Sequence, residues 1–291
     1  MRVVVFGKSG QLGRELVRVF SGRGHQVIGF QRSEVDVTDA SRVEHAIATA
    51  NPDIVLNATA YNMVDVAEKE PDTAFAGNAL AVRNMAVACR QADARFVHFS
   101  TDYVFDGTLG RPYVEEDATH PVGAYAVSKL AGELYAQAYL DEPLIIRTSG
   151  VFGPGGLHTA RGIFVEVMLR LANSGQPIRV VEDFVASPTY APELAFRTAD
   201  LVDKKQKGVF HVGGGTAVSW FDYAKLIFEV AGIEPELKPS NEREHRTPAR
   251  RPKFSALSNA KMERCGITPM PPMRDVVEDY MNRRKYEVAV L

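Results

Sequence analysis

Tyr125 and Lys129 are spaced so that their side chains could share one chemical task. They stand four residues apart in the stretch A-Y-A-V-S-K-L-A-G-E, which has the composition of a helix. Four residues make slightly more than one helical turn, so both side chains project from one face. A phenol held beside an ammonium is suited to proton transfer. The alternative is a tyrosine that packs the helix, because a lone Y-x-x-x-K is a weak motif.

A second hydroxyl-bearing stretch, F-S-T-D-Y-V-F-D-G over residues 99–107, directly follows a predicted strand. Ser100 and Thr101 would emerge at the carboxyl end of a parallel sheet, where ligands bind in doubly wound folds. The helix that begins near Tyr125 would lie on that sheet. It could therefore bring Tyr125 close to Thr101.

Three glycines lie in G-K-S-G-Q-L-G, between the first predicted strand and a helix. Gly7 would permit a tight turn, Gly10 would let a pyrophosphate approach the backbone, and Gly13 would let helix and sheet pack closely. The N-terminus of the helix then faces the phosphates. A tight turn without a ligand is the alternative. The predicted dinucleotide-binding residues are Gly7, Lys8, Ser9, Gly10, Gln11, Leu12 and Gly13.

The end of the second predicted strand bears on which dinucleotide is bound. An acid there would bind the adenosine ribose 2′-hydroxyl, but the chain continues as F-Q-R-S. Arg32 and Ser33 could instead receive a 2′-phosphate, which favours NADPH and leaves NADH open. The alternative is that Arg32 is a solvated loop residue.

Two further segments could border the cofactor. Asp36 lies where a short third strand would end, and it could accept a hydrogen bond from the adenine amino group, with Val37 beside it. Helix capping is the alternative for Asp36, although Thr38 and Asp39 fit that role better.

The stretch N-A-T-A-Y follows another strand, and its small residues would let a flat ring approach the backbone. An ordinary turn is nearly as good an interpretation. Its predicted cofactor contacts are Ala58, Thr59, Ala60 and Tyr61.

The elements that must position these residues alternate regularly in the first half of the chain. Apolar runs typical of buried strands take turns with stretches of helical spacing. This alternation predicts an α/β fold with a doubly wound, Rossmann-like parallel sheet. The predicted strands are residues 3–6, 25–30, 54–57, 95–100, 144–147, 178–181 and 208–212. The predicted helices are residues 11–20, 41–50, 73–91, 125–139, 163–173 and 220–231, with another beginning within 187–195.

The pattern loosens after Thr148, which predicts a smaller C-terminal α/β lobe that binds the substrate. We predict an NAD(P)-binding Rossmann domain over residues 1–148, to which segments near 182–218 return, and a mainly substrate-binding lobe over residues 149–291. Ser219 is predicted to cap the helix that follows it. Residues 238–253 carry prolines and basic residues without periodicity, so a long functional loop is expected there.

Composition narrows the classes of protein. The 291 residues, 45% of them hydrophobic, can build a large core. A formal net charge of −2 argues against nucleic acid or an anionic membrane as a partner. No apolar run approaches the roughly 20 residues that span a bilayer, and residues 1–6 are too short for a signal peptide. Cys89 and Cys265 lack metal-binding spacing, so a reduced, cytoplasmic protein is expected.

With these motifs in this order, the chain resembles the extended short-chain dehydrogenase/reductases and, among them, the dTDP-4-dehydrorhamnose reductase family. The matching stretches include F-G-K-S-G-Q-L-G-R-E, V-D-V-A-E-K-E-P, H-F-S-T-D-Y-V-F-D-G, Y-A-V-S-K-L-A-G-E and V-A-S-P-T-Y-A-P-E-L-A. The resemblance implies NAD(P)H-dependent reduction of the 4-keto group of a nucleotide-linked, dTDP-type 6-deoxyhexose. It places Thr101, Tyr125 and Lys129 on the family's catalytic residues, with the last two also contacting the cofactor.

The resemblance also implies where a nucleotide-sugar would bind. Many relatives have a tryptophan at the position of Gly150, so the sugar pocket is expected to be wider here or shaped by Phe152 or Tyr61. No metal is predicted, because Glu193 matches an acid of the family but the C-terminal tail offers only Glu287. A homodimer is one possible assembly. The predicted substrate residues are Thr101, Asp102, Tyr103, Phe152 and Arg251, the last of which could meet a diphosphate or remain solvated.

Two other functions remain open. A related reductase or epimerase could act on another nucleotide-linked 4-keto sugar, an alternative that Gly150 leaves open. Net consumption of NADPH would distinguish the reductase from the epimerase. The alternative from another class is a non-catalytic NADP-binding subunit similar to the regulatory subunit of methionine adenosyltransferase. The joint presence of Thr101, Tyr125 and Lys129 favours an enzyme.

Overall fold

The computed structural model describes residues 1–158, 162–244 and 246–288. The strands in these ranges are β1 Arg2–Phe6, β2 Gln26–Phe30, β3 Ile54–Asn57, β4 Arg95–Thr101, β5 Leu144–Thr148, β6 Ile178–Val181, β7 Val185–Ala186, β8 Gly208–His211, β9 Val218–Ser219 and β10 Leu237–Ser240. A six-stranded parallel sheet has the order β2-β1-β3-β4-β5-β8. β10 pairs with β6 in parallel, and β7 pairs with β9 antiparallel.

The main sheet is buried on both faces. Val3, Val4 and Val5 of β1 are each 0% exposed, and apolar clusters cover the two sides of the sheet. β1 lies between β2 and β3, so the direction of the crossover connections reverses beside it. In such sheets the ligand cleft opens at the carboxyl ends of the strands at that reversal. The predicted doubly wound fold is confirmed, and the glycine loop after β1 lies at the cleft.

Helices cover both faces of the sheet. Apolar residues of the first and eighth helices pack on one face, and those of the second, fifth and sixth pack on the other. Two 3-10 turns occupy Asp102–Val104 and Pro154–His158. The helices are α1 Gln11–Gly22, α2 Ala40–Ala50, α3 Val64–Ala67, α4 Pro71–Phe75, α5 Ala81–Gln91, α6 Ala124–Tyr139, α7 Phe164–Ala172, α8 Ala191–Asp203, α9 Trp220–Ala231, α10 Ala260–Arg264 and α11 Met273–Val288.

The predicted helix over residues 73–91 is not one regular helix. A π-helical segment, Ala76–Leu80, separates α4 from α5. It lies against α6 so closely that a Cβ built on Gly132 would be 2.3 Å from the carbonyl oxygen of Asn78. Only glycine allows the two backbones to approach this far. π-bulges are frequent at functional sites, and Asn78 contacts the candidate site.

The expected short strand before Asp36 does not form. Residues 31–39 form turns and coil instead. Asp36 accepts hydrogen bonds from N and Oγ1 of Thr38 at 3.0 and 2.8 Å, and such a local turn competes with strand formation. The preference for Asp39 as the helix cap is correct, because its side chain accepts from two backbone N–H groups in the first turn of α2.

The C-terminal part of the chain has its own apolar core, built by α7, α9, α11 and their neighbours. Ser219 caps α9 as predicted, with its Oγ accepting from Asp222 N at 3.0 Å. The predicted loop over residues 238–253 is partly wrong, because its start belongs to β10. β8 joins the main sheet beside β5. The division of the chain at residue 148 stays a prediction.

Replacing Gly132 by alanine should lower the free energy of unfolding by about 2 kcal/mol or more, because its Cβ would meet the Asn78 carbonyl. Gly22 in α1 is the matched control, since a Cβ there has no neighbour within 4 Å. Gly22→Ala should be neutral or stabilising by up to about 1 kcal/mol. Urea unfolding measures both variants, and equal stabilities would contradict the close contact between the two backbones.

Candidate active site

The glycine loop between β1 and α1 has the shape that a dinucleotide requires. Gly7 has a φ of 87°, which side-chain-bearing residues rarely adopt. A Cβ on Gly13 would lie 1.9 Å from the carbonyl oxygen of Gly7. The structure describes the whole of α1. Its first turn has no acidic residue, and its N-cap residue, Gly10, has no side chain that could bond to the first N–H groups of the helix. The N–H of Gly10 donates to Gly7 O at 3.0 Å, and the N–H groups of residues 11–13, in the first turn of the helix, fit a pyrophosphate.

The turn after β3 adjoins this loop. A Cβ on Gly7 would lie 2.9 Å from Ala58 O and 3.2 Å from Thr59 Cγ2. Asn57 fixes the turn, because its Oδ1 accepts from Thr59 N at 3.0 Å and from Thr59 Oγ1 at 2.6 Å. The sequence pattern did not identify this role of Asn57. Its position at the end of a buried strand was the available signal.

Asn78 of the π-helical segment connects the predicted cofactor segment to the helix of Tyr125. Its side chain accepts from Tyr61 N and donates to Tyr61 O, both at 2.8 Å. It also donates to Ser128 Oγ at 3.0 Å, and that hydroxyl donates to Tyr125 O at 2.7 Å. Ala60, just before Tyr61, is exposed. Asn78 was not predicted, because its role depends on the irregular helix.

The predicted adenosine contacts lie at the end of β2. Arg32 is 88% exposed and its Nε lies 3.5 Å from Asp36 Oδ2. The N–H of Thr38 is the main cause that lowers the pKa of Asp36. Val37 packs at the edge of the apolar cluster, and its carbonyl accepts from Asn84 at 3.3 Å. The structure therefore brings Arg32, Asp36 and Val37 together. The Asp36 carboxylate accepts hydrogen bonds from Thr38 and pairs with Arg32.

α6 holds Tyr125 and Lys129 against the end of β4. Lys129 is buried, and its Nζ donates to Phe99 O at 2.6 Å. The Tyr125 ring lies edge-on to the Tyr103 ring, with centroids 6.1 Å apart. Tyr103 N–H in turn donates to Thr101 Oγ1 at 3.2 Å. The structure therefore brings Thr101, Tyr125 and Lys129 to one place on the carboxyl edge of the sheet.

Lys129 lies in a buried network of charges. Burial lowers the pKa of Lys129 to about 8, and the nearby Glu133 carboxylate opposes this shift. Glu133 is 2% exposed, pairs with Arg147 of β5 at 2.8 Å, and accepts from Ser100 Oγ. Buried ion pairs add little net stability. The position of this pair, one helical turn from Lys129, indicates instead that Glu133 supports the charged form of the amine.

Asp102 is a buried acid that joins three segments of the chain. Its Oδ1 accepts from Thr101 Oγ1 at 3.1 Å. Its Oδ2 accepts from Ser149 Oγ at 2.8 Å and from Ser255 Oγ at 2.5 Å. Burial raises the pKa of Asp102 to about 6, although the hydroxyl donors favour the carboxylate. Asp102 therefore positions Thr101, and a direct contact with substrate stays a prediction.

The other predicted substrate residues lie in different surroundings. Arg251 Nη2 is 2.8 Å from Asp65 Oδ2 in the V-D-V-A-E-K-E-P stretch, and Arg251 also interacts with Tyr103. Phe152 is only 2% exposed and packs in the C-terminal core, with its ring 5.3 Å from that of Tyr190. The structure does not bring Phe152 to Thr101. Its apolar ring is surrounded by other aromatic rings, so it is a packing residue.

Glu68, which the motifs did not single out, caps the helix of Tyr125. Its Oε1 accepts from Ala124 N, the first residue of α6, at 2.8 Å. The preceding Gly123 provides no side-chain cap, and a Cβ there would lie 2.9 Å from the same oxygen. A carboxylate at a helix N-terminus is favourable. The V-D-V-A-E-K-E-P stretch therefore anchors α6 through Glu68 and Arg251 through Asp65.

Two further observations concern membranes and metals. In residues 1–158, 162–244 and 246–288, no helix combines the length and apolarity needed to cross a membrane. Within the same ranges, no group of three or more His, Cys, Asp and Glu side chains is arranged to hold a metal ion. Glu193 pairs instead with Arg197 at 3.0 Å. The side chain of Glu287 lies outside the described residues.

Comparison with known proteins gives the family. The RmlD substrate binding domain family matches residues 1–286. The chain belongs to this family. The spore coat polysaccharide biosynthesis protein SpsK of Bacillus subtilis is 36% identical over 283 residues, which cover 97% of this chain and 98% of that protein. A dTDP-4-dehydrorhamnose reductase of Mycolicibacterium smegmatis is 38% identical over 282 residues, 96% of this chain and 84% of that protein.

Solved structures are similar over the same length. The dTDP-4-dehydrorhamnose reductase of Clostridium acetobutylicum has a TM-score of 0.93 at 32% identity, covering 98% of this chain and 100% of that chain. The reductase of Bacillus anthracis, solved in complex with NADP, has a TM-score of 0.91 at 33% identity, covering 97% and 99%. These findings confirm the family and the fold class that the sequence predicts.

The raised pKa of Asp102 predicts how stability depends on pH. The folded-state pKa of about 6 lies above the ordinary 3.8, so the folded state binds this proton more tightly and stability is lost as pH rises through 6. Asp102→Asn replaces the carboxyl group by an amide, which does not titrate in this pH range. Relative to that variant, wild type should lose about 2–3 kcal/mol of unfolding free energy between pH 4 and 7.

Urea unfolding at several pH values measures this difference. Asp141→Asn is the control, because Asp141 is exposed and its replacement should leave the pH dependence of wild type unchanged. A difference between wild type and Asp102→Asn that is constant across pH would contradict the buried acid.

Proposed function

We propose that the protein is an NAD(P)H-dependent oxidoreductase that reduces the 4-keto group of a nucleotide-linked 6-deoxyhexose. The proposed substrate is dTDP-4-dehydro-β-L-rhamnose and the product is dTDP-L-rhamnose. The observation that carries the proposal is the position of Tyr125 and Lys129 against the end of β4, beside Thr101. Relatives named dTDP-4-dehydrorhamnose reductase support the choice of substrate.

The cofactor would lie along the carboxyl edge of the sheet. The N–H groups at the start of α1 would bind its pyrophosphate, and Ala58 and Thr59 would border it beside Gly7. Lys129 would also bind the nicotinamide ribose. When bound, the reduced nicotinamide supplies the hydride. The NADP-bound relative from Bacillus anthracis supports this assignment.

Tyr125 donates the proton that the ketone oxygen requires. A phenol with an ordinary pKa near 10 is a weak acid at neutral pH. An ammonium about 4 Å away, at an effective dielectric of about 20, would favour the phenolate by roughly 4 kcal/mol before solvent screening. Lys129 supplies this charge while it is protonated. Its pKa of about 8 means that the support is present at neutral pH and is lost as pH rises through 8.

Thr101 orients the ketone. Its hydroxyl is held at the end of β4 by Tyr103 N–H and Asp102 Oδ1. The hydroxyl has a single hydrogen, which it donates to Asp102 Oδ1. With substrate bound, that hydrogen would turn from Asp102 to the carbonyl oxygen, where negative charge develops. Asp102 limits how far Thr101 can move, because Ser149 and Ser255 fix its other oxygen.

Arg251 and Trp220 would contact the nucleotide-sugar. The Arg251 guanidinium is suited to a diphosphate, which would compete with Asp65 for it. Gly150 has no side chain, and a Cβ there would lie 3.3 Å from Trp220 Cη2. The indole of Trp220 therefore occupies the space beside Gly150. Trp220, rather than Phe152, is the aromatic wall that we propose for the sugar pocket.

The proposed enzyme is cytoplasmic and homodimeric. Cys89 and Cys265 are both free thiols, which agrees with a reducing compartment.

Large apolar side chains are exposed on α4, α6 and the π-helical segment between α4 and α5, and a second copy of the chain could cover such a face. These side chains are Phe75 36%, Leu80 46%, Val127 41% and Leu134 58% exposed.

Tyr125→Phe tests the function. Removing the phenol should lower kcat by about 10²–10⁴-fold, the usual contribution of a general acid, while calorimetry still detects binding of NADP+. Product formation from dTDP-4-dehydrorhamnose is followed by NADPH absorbance and NMR. Tyr135→Phe in the same helix is the control and should keep wild-type rates. Wild-type turnover by Tyr125→Phe would refute the assignment of the proton donor.

A further inference from the structure

Glu34, an acidic residue that no motif singled out, lies at the adenosine end of the cofactor site. Its carboxylate accepts from Lys8 Nζ, with Oε1 at 2.9 Å and Oε2 at 2.8 Å, and from Gln31 N at 2.9 Å. Gln31 is the first residue after β2, and Lys8 follows the first glycine of the cofactor loop. Glu34 therefore bridges the gap between that loop and the end of β2.

Gly29 sets the path of the Lys8 side chain. A Cβ on Gly29 would lie 2.8 Å from both Cβ and Cδ of Lys8, so the lysine crosses β2 where glycine leaves room. The N–H groups of Gly7 and Lys8 donate to Phe30 O at 2.8 and 3.1 Å, which ties the loop to the strand. The amine thus reaches the edge of the sheet where adenosine ribose is recognised in this type of fold.

The charges at this edge are balanced in pairs. Lys8 pairs with Glu34, and Arg32 pairs with Asp36. The hydrogen bond from Lys8, followed by that from Gln31 N–H, lowers the pKa of Glu34. The side chain is therefore a carboxylate at neutral pH. A carboxylate here can accept from a ribose 2′-hydroxyl, whereas it repels a 2′-phosphate, which carries about −1.5 to −2 charge.

We propose that Glu34 sets the cofactor preference of the enzyme. It favours NADH by accepting from the ribose 2′-hydroxyl, and it disfavours NADPH by keeping Lys8 from the 2′-phosphate. Arg32, which is 88% exposed, remains as a cation for the phosphate, so both cofactors bind. The inference rests on the proposed function, because it assumes that the glycine loop binds a dinucleotide.

Binding of NAD+ and NADP+ to the full chain, measured by calorimetry, tests this role. Glu34→Gln should tighten NADP+ about fivefold and weaken NAD+ about threefold, as expected when an exposed charge pair is removed. The ratio of kcat/KM with NADPH to that with NADH should rise in the same direction. Lys8→Met should weaken NADP+ about fivefold, because it leaves the charge of Glu34 uncompensated near the 2′-phosphate. In the double variant, part of the gain in NADP+ affinity from Glu34→Gln should be lost, because Lys8 is no longer there to contact the 2′-phosphate.

Glu229→Gln is the matched control. Glu229 forms a similarly exposed pair with Arg274 at 2.7 Å, between α9 and α11, and its replacement should leave both dissociation constants unchanged. If Glu34→Gln keeps the ratio of the two constants within about twofold of wild type, the proposal is wrong and the proposed function stands. If wild type binds neither dinucleotide, both are wrong.

Discussion

The buried side chain of Lys129 joins the catalytic helix to the sheet, and the rest of the site takes its position from this contact. Its Nζ donates to Phe99 O at 2.6 Å while the residue is 2% exposed. A charge can be buried this deeply only if it is paired and hydrogen-bonded. Glu133 supplies the nearby negative charge, and Arg147 pairs with Glu133 at 2.8 Å. Thr101 follows Phe99 by two residues, and Tyr125 precedes Lys129 by about one helical turn.

Contacts between backbones set the distances on which this arrangement depends. Gly13 lets α1 begin against Gly7, and Gly132 lets α6 lie against Asn78. Side chains in these places would separate the helices from the sheet, so the phosphate-binding N–H groups and the catalytic phenol would both move. Asn78 then connects the two parts, because it bonds to Tyr61 and to Ser128.

The features that were predictable from the sequence have local causes. β3 matches its predicted bounds because three consecutive apolar residues begin it, and α9 begins after Ser219 because that hydroxyl caps it. The features that were missed depend on residues far apart in the chain. Asp102 bonds to Ser255, 153 positions away, and Glu68 caps α6 from 56 positions away. The burial of Phe152 likewise depends on the tertiary packing of the C-terminal core, which the sequence pattern does not show.

The most direct test of the proposed reduction follows the transferred hydrogen. The enzyme is incubated with dTDP-4-dehydrorhamnose and NADPH that carries deuterium on its reactive nicotinamide carbon, and the product is examined by NMR. The site described above predicts one deuterium at C4 of dTDP-L-rhamnose for each cofactor oxidised. Cofactor oxidation without deuterium in the sugar, or no oxidation with any nucleotide-linked 4-keto sugar, would contradict it.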